Sequence, residues 1–232
     1  NGSSYSQNID TTVMPNGVVY VAAKIYDAVG NFTYSPKQRY MCDNQGPEQV
    51  KNVKCIAVDG TTATLSWSDV SDDDISYFVV ECKQSDGVWK SVSRTSTNLG
   101  VNLRGLTPEH DYVYRVIGYD KRSNRGTPSE EITVTTLKDT ICPKVTKITP
   151  DPGYFKSEIN LRFTAEDDYR VKSIETQTST DKESWKTVSE IKATGESAKC
   201  TFDCKLDLKN YEEGSVFVRA KVYDSYGNVT ED

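Results

Sequence analysis

The chain has 232 residues, with 28 Lys and Arg against 34 Asp and Glu, for a formal net charge of −6. That balance argues against a phosphate-binding basic surface and against attraction to anionic lipid, so nucleic acid is not an expected partner. Mean hydropathy is −0.61, and no apolar run approaches the roughly 18 residues that cross a bilayer, so membrane insertion is not expected either.

Strand-forming residues dominate, with 14 Tyr, 6 Phe and 3 Trp among many Val, Ile and Thr. Apolar spacing of 3.6 residues is nowhere sustained. Short alternating runs recur instead, bounded by Gly, Asp, Asn or Pro. In chain order they are Val50–Cys55, Thr64–Trp67, Asp111–Val116 and Ser215–Ala220. The expected fold is all-β: tandem antiparallel sandwiches in an elongated array.

An internal repeat orders the chain. Residues 17–33 return as residues 214–230, with ten of 17 positions identical, among them Tyr26-Asp27 and Gly30-Asn31 against Tyr223-Asp224 and Gly227-Asn228. A fainter copy runs from Tyr112 to Tyr119-Asp120 and Ser123-Asn124. In such a turn the Asp side chain hydrogen-bonds the loop backbone while Gly supplies φ > 0. Asp27, Gly30, Asn31, Asp224, Gly227 and Asn228 are therefore read as structural, and Asp120 with them. A second repeat, Asp86-Gly87-Val88-Trp89 against Asp181 to Trp185, reads as a hairpin turn entering an aromatic edge strand. The organisation expected is a partial sandwich over 1–45, a complete one over 46–138, and a third over 139–232 that lacks its last strand. The first copy supplies an equivalent of that strand at about Phe32 to Met41. No signal peptide stands at Asn1, and the sequence reads as starting in mid-protein. Neighbouring copies could then complete one another by strand addition.

Residues 46–138 resemble a fibronectin type III domain. The resemblance rests on Pro47, Val53, Cys55, Leu65-Ser66-Trp67, Phe78, Val80, Leu106-Thr107-Pro108-Glu109-His110-Asp111-Tyr112, Tyr114-Arg115-Val116, Thr127-Pro128-Ser129 and Val134-Thr135-Thr136. It implies Trp67 in the inter-sheet core and a Tyr112 hydroxyl that satisfies an upstream backbone group. Residues 139–232 and the first 45 are similar to the Ig-like sandwiches of bacterial surface and secreted proteins. That similarity rests on the Asp-x-x-Gly-Asn turns, Glu166-Asp167-Asp168 and Asp207-Leu208, with Phe163 standing where the middle domain has Trp67.

Sites for chemistry are sparse. Asp69, Asp72, Asp73 and Asp74 make one acidic loop and Glu166-Asp167-Asp168 an equivalent one. Neither has the Asp-x-Asp-x-Asp-Gly spacing of a calcium loop, so both are read as solvated loops and no metal or cofactor is assigned. His110 is the only histidine, too isolated for a triad, and no catalytic residue is assigned. Cys42, Cys55, Cys82, Cys142, Cys200 and Cys204 are spaced too widely for zinc. Cys55 and Cys82 fall on inward strand phases, as a disulfide or as two free thiols; Cys142 could reach Cys200 or Cys204. Trp89 and Trp185 occupy matching edge positions, either covering the sheet edge or stacking on sugar rings. Three Asn-x-Ser/Thr sequons begin at Asn1, Asn31 and Asn228.

The function expected is a non-catalytic structural, spacer or adhesion segment of a large extracellular or cell-surface multidomain protein. Its partners would be other domains of the same chain, neighbouring copies, or a host protein or glycan. The alternative is an accessory carbohydrate-binding region of a secreted polysaccharide-degrading enzyme.

Overall fold

The computed structural model describes residues 4–231; the sequon at Asn1 lies outside them. The described residues form antiparallel β-sheet with one short 3-10 helix, Leu208–Asn210, in tandem sandwiches. The first four strands are β1 (Gly17–Val21), β2 (Lys24–Tyr26), β3 (Phe32–Tyr34) and β4 (Gln38–Cys42). The next seven are β5 (Lys54–Val58), β6 (Thr62–Ser66), β7 (Ile75–Lys83), β8 (Trp89–Thr95), β9 (Gly100–Arg104), β10 (Asp111–Asp120) and β11 (Ile132–Thr135). The last are β12 (Lys144–Thr149), β13 (Glu158–Glu166), β14 (Val171–Ser179), β15 (Lys186–Lys192), β16 (Lys199–Asp207), β17 (Phe217–Asp224) and β18 (Val229–Glu231). Two compact units result. One holds the described residues up to Lys54 with Ser66–Val101 and Val113–Ile132; the other holds Cys55–Leu65, Asn102–Tyr112 and the chain from Thr133 onward.

In the first unit β1 pairs with β4, placing Gly17 opposite Cys42, and β2 pairs with β3. These ribbons bury little: Tyr20, Ile25, Phe32, Tyr34 and Met41 are all more than half exposed. Lys24 covers part of that surface, its ammonium 3.8 Å from the Phe32 ring centre. The larger sheet has the order β11-β10-β7-β8. Alternation along β7 buries Phe78, Val80 and Cys82, and along β10 Tyr114 and Val116, with Val116 opposite Val80. Trp67 is buried and meets Phe78 edge-on at 5.6 Å. The expected strand over Val50–Cys55 is displaced, since β5 begins only at Lys54. The cause is Asn52, whose φ of 56° takes the backbone out of the extended region while its side chain donates to Ser68 Oγ at 2.8 Å.

The second unit contains the sheet β5-β6-β9 for the most part and all of the last sandwich. Leu106 and Tyr112 mark the crossing between strands: Thr107 N–H donates to the Tyr112 hydroxyl at 2.8 Å. The last sandwich packs the sheet β12-β13-β16 on β15-β14-β17-β18. Its core is Leu161, Phe163 and Ala165 from β13, Phe202, Cys204 and Leu206 from β16, Val171 and Ile174 from β14, and Ala220 and Val222 from β17. The β13, β16 and β17 sets follow the two-residue strand period, whereas a register shift between Val171 and Ser173 breaks it in β14, which is buried along most of its length. Phe163 lies directly opposite Phe202. Residues 229–231 pair with β17 as β18, at the place where the sequence reading expected the last strand to be absent.

Candidate functional site: two acidic joints

The repeated turns share one geometry. Asp27 Oδ1 accepts from the backbone N–H groups of Val29 and Asn31 at 3.0 and 2.9 Å, and Oδ2 from the Asn31 amide at 2.8 Å. Asp120 holds Arg122, Asn124 and the Asn124 amide in the same way, and Asp224 holds Tyr226, Asn228 and the Asn228 amide. The third turn position carries positive φ in all three: 94° at Gly30, 68° at Ser123 and 91° at Gly227. Burial separates the copies. Asp27 is exposed, whereas Asp120 and Asp224 are 1% and 0% accessible.

The two buried turns each hold the segment that precedes their own domain. Asn124 donates to Asp43 O at 3.1 Å, and Asn228 donates to Asp139 O at 3.2 Å. Asp43 and Asp139 each stand four residues before a proline, Pro47 and Pro143. The turns thereby draw two acidic triads together, Asp43–Asp74–Asp120 in one unit and Asp139–Asp167–Asp224 in the other, each with one oxygen per residue inside 4.8 Å of the others. Both loops were read from sequence as solvated. The missing information was the third carboxylate of each triad, contributed by the joint. The repeated Asp-x-x-x-Pro at the joints is the signal that could have pointed to it.

The triads differ in how their charges are met. Asp43 Oδ2 faces Arg122 Nε at 3.2 Å and its Oδ1 accepts from the Asn16 amide at 3.4 Å. Asp72, chiefly through a shared hydrogen bond, raises the Asp74 carboxyl. Tyr226 stands where the first joint has Arg122. The Asp139 carboxylate accepts from Ile141 N–H through Oδ1, but its buried Oδ2 has no hydrogen-bond partner, and neither has buried Asp167 Oδ1. Burial, helped by the surrounding Asp charges, raises both the Asp139 and Asp167 carboxyls above the ordinary range.

The second joint is also tightly packed. Leu137 N–H donates to Asp59 O at 3.0 Å. Thr61 Oγ1 donates to Asp168 at 2.9 Å, and the Tyr226 hydroxyl to Pro108 O at 3.2 Å. A Cβ on Gly60 would lie 3.0 Å from Asp139 Cα.

The other expected site residues are placed as follows. Trp89 and Trp185 are half-buried, each with a guanidinium on its ring: Arg115 at 4.0 Å and Arg219 at 4.4 Å. All six cysteines are free thiols, so Cys55 and Cys82 take the second of the two alternatives left open by the sequence. The Cys55 thiol turns along its own strand to Ala57 O at 3.2 Å, and burial pushes the Cys82 thiol up. Cys142 is exposed. His110 is exposed, its ring edge-on to Tyr112 at 4.8 Å.

Tandem antiparallel sandwiches with polar, side-chain-tied joints define a modular β-sandwich protein. Residues 48–135 match the family model of the fibronectin type III domain, and this segment is a fibronectin type III domain. Among solved structures, the chain is similar to a human fibronectin type III domain from fibronectin type III domain containing protein 3, at 25% identity and a TM-score of 0.38; the match covers 42% of this chain and 93% of that one. It is also similar to the FN5 domain of Drosophila Lar, at 21% identity and a TM-score of 0.34, over 40% and 99% of the two chains. The chicken CNTN1 FN1–FN3 structure aligns with 80% of this chain and 66% of that one, at 16% identity and a TM-score of 0.38. No curated protein matches the chain. Among the described residues, no helix is long and apolar enough to cross a membrane.

Proposed function

We propose that the chain is a non-catalytic structural or adhesion segment of a large extracellular or cell-surface multidomain protein. Its sandwiches, 46–138 and 139–232 with a partial one before them, hold a defined spacing between other modules. The observation that carries this reading is the repeated joint: Asn124 and Asn228 tie the preceding segment to their own domains through equivalent bonds to Asp43 O and Asp139 O. A module whose task is spacing benefits from joints that resist bending, since a free linker would contribute reach without direction. Partners on this reading are the adjacent domains of the same chain, with a cell-surface protein or glycan at the ends of the array.

The test combines tryptic digestion with binding to soluble and insoluble polysaccharides. The native chain is expected to resist cleavage after Lys138, and Asn228→Ala is expected to be cut there several times faster. Equal cleavage of the two would refute the tied joint. Retention on one glycan that is lost in Trp89→Ala or Trp185→Ala would replace the spacer reading with a binding module.

A further inference from the structure

We infer that Asp139, Asp167 and Asp224 form a calcium-binding site that fastens the joint preceding the last sandwich. Three observations converge there. The three carboxylates present oxygens no more than 4.8 Å apart. Asp139 is 1% accessible and Asp224 0%, so water screens their repulsion poorly. Asp139 Oδ2 and Asp167 Oδ1 are buried without a hydrogen-bond partner, although the other oxygen of each carboxylate is fixed by backbone N–H groups of Ile141, Tyr169 and Arg170. A carboxylate oriented by one oxygen while the other stays unpaired is prepared for a cation.

The choice of ion follows from the donor set. Oxygens within 4.8 Å of one another can converge on one cation, and hard carboxylate oxygens in an irregular set suit calcium, whose coordination is flexible, better than magnesium, which demands near-ideal octahedral geometry. The nearby Arg170 guanidinium does not fill the role. It pairs with Glu196 at 2.9 Å and lies 4.5 Å from the Tyr169 ring. The first joint provides an internal contrast, because Arg122 already faces Asp43 at 3.2 Å. One joint uses an arginine where the other is open to a metal ion.

Binding would join three parts of the chain that meet there: the joint through Asp139, the loop after β13 through Asp167, and the end of β17 through Asp224. The site does not depend on the spacer reading, and the two fail separately. Calcium binding would stand even if the chain proved to bind glycans.

The experiment titrates the full chain, stripped with chelator, with calcium chloride and then magnesium chloride in a calorimeter. One calcium site is expected, with a Kd of about 10⁻⁴–10⁻³ M, as in extracellular calcium modules. Asp139→Asn and Asp167→Asn should each weaken it at least tenfold, while Asp43→Asn leaves it unchanged. Thermal unfolding in chelator checks that the variants fold. Each should melt at or above the native chain, because one charge has left a crowded site, yet gain less from calcium. Absence of heat up to about 10 mM calcium, well above that expected range, would overturn the site. So would calcium binding that survives both substitutions, or that is lost with Asp43→Asn.

Discussion

Replacing Tyr112 by Phe removes one oxygen and leaves the ring in place, so it deletes the bond from Thr107 N–H to the Tyr112 hydroxyl, 2.8 Å long and partly buried. Thr107 and Tyr112 are both half-buried, so water can reach the orphaned amide only in part. A buried donor left unpaired costs roughly 1–3 kcal/mol, and partial access places this one at about 1–2 kcal/mol. For a domain of roughly 100 residues, that lowers the melting temperature by at least about 4 °C. The assay is urea unfolding with global fitting of the native chain and Tyr112→Phe. The transition of the fibronectin type III domain should move to lower urea with its slope unchanged, while that of the last sandwich stays in place. A loss under about 0.3 kcal/mol would mean that water replaces the hydroxyl completely, against the usual penalty for an orphaned buried donor. A changed slope would point to an altered unfolded state, and either result would refute the reasoning.

Other consequences follow from the same structure. Phe163→Ala empties the centre of the last sandwich, where Phe163 is fully buried opposite Phe202; a loss of about 3–5 kcal/mol is expected by chemical denaturation, with the Tyr112-dependent transition unmoved. Ser123 occupies at φ 68° the position that Gly30 and Gly227 occupy at 94° and 91°, so Ser123→Gly should stabilise by about 0.5–1 kcal/mol, and Gly227→Ala should destabilise by about 1 kcal/mol. Glu175 has its carboxyl held below the ordinary range, first by the Thr187 hydroxyl, then by the Gln177 amide and the Tyr223 hydroxyl. Its contribution is complete above the unfolded value near 4.5 and is lost as pH falls through the lower folded value. Glu175→Gln should therefore flatten the acid limb of a stability–pH profile and leave the slope near neutral pH unchanged. Gly60→Ala should speed tryptic cleavage after Lys138, because its Cβ would press on Asp139 Cα at 3.0 Å.

The fold class was legible because strand period, turn residues and the internal repeat are all local signals. The two-residue alternation that buries Phe78, Val80 and Cys82 is written in the order of the residues, as is the Asp-x-x-Gly-Asn turn. Trp67 and Tyr112 could be placed because their neighbours carry a family pattern. The state of the cysteines was not legible, since pairing depends on where two strands bring their Cβ atoms. The displaced start of β5 depended on Asn52, whose left-handed backbone is tied by a side-chain bond to Ser68, sixteen residues on. The acidic joints belong wholly to tertiary structure. Asp139, Asp167 and Asp224 are separated by 28 and 57 positions, and each by itself reads as a solvated or turn-forming acid. Only the return of β17 beside β14, together with the seating of the joint against Asn228, brings their oxygens to one buried point. Alternation decided which face of each strand is buried, because that rule acts between nearest neighbours. Which charges would share that interior was decided by the closing of the sandwich, because charge crowding acts through space.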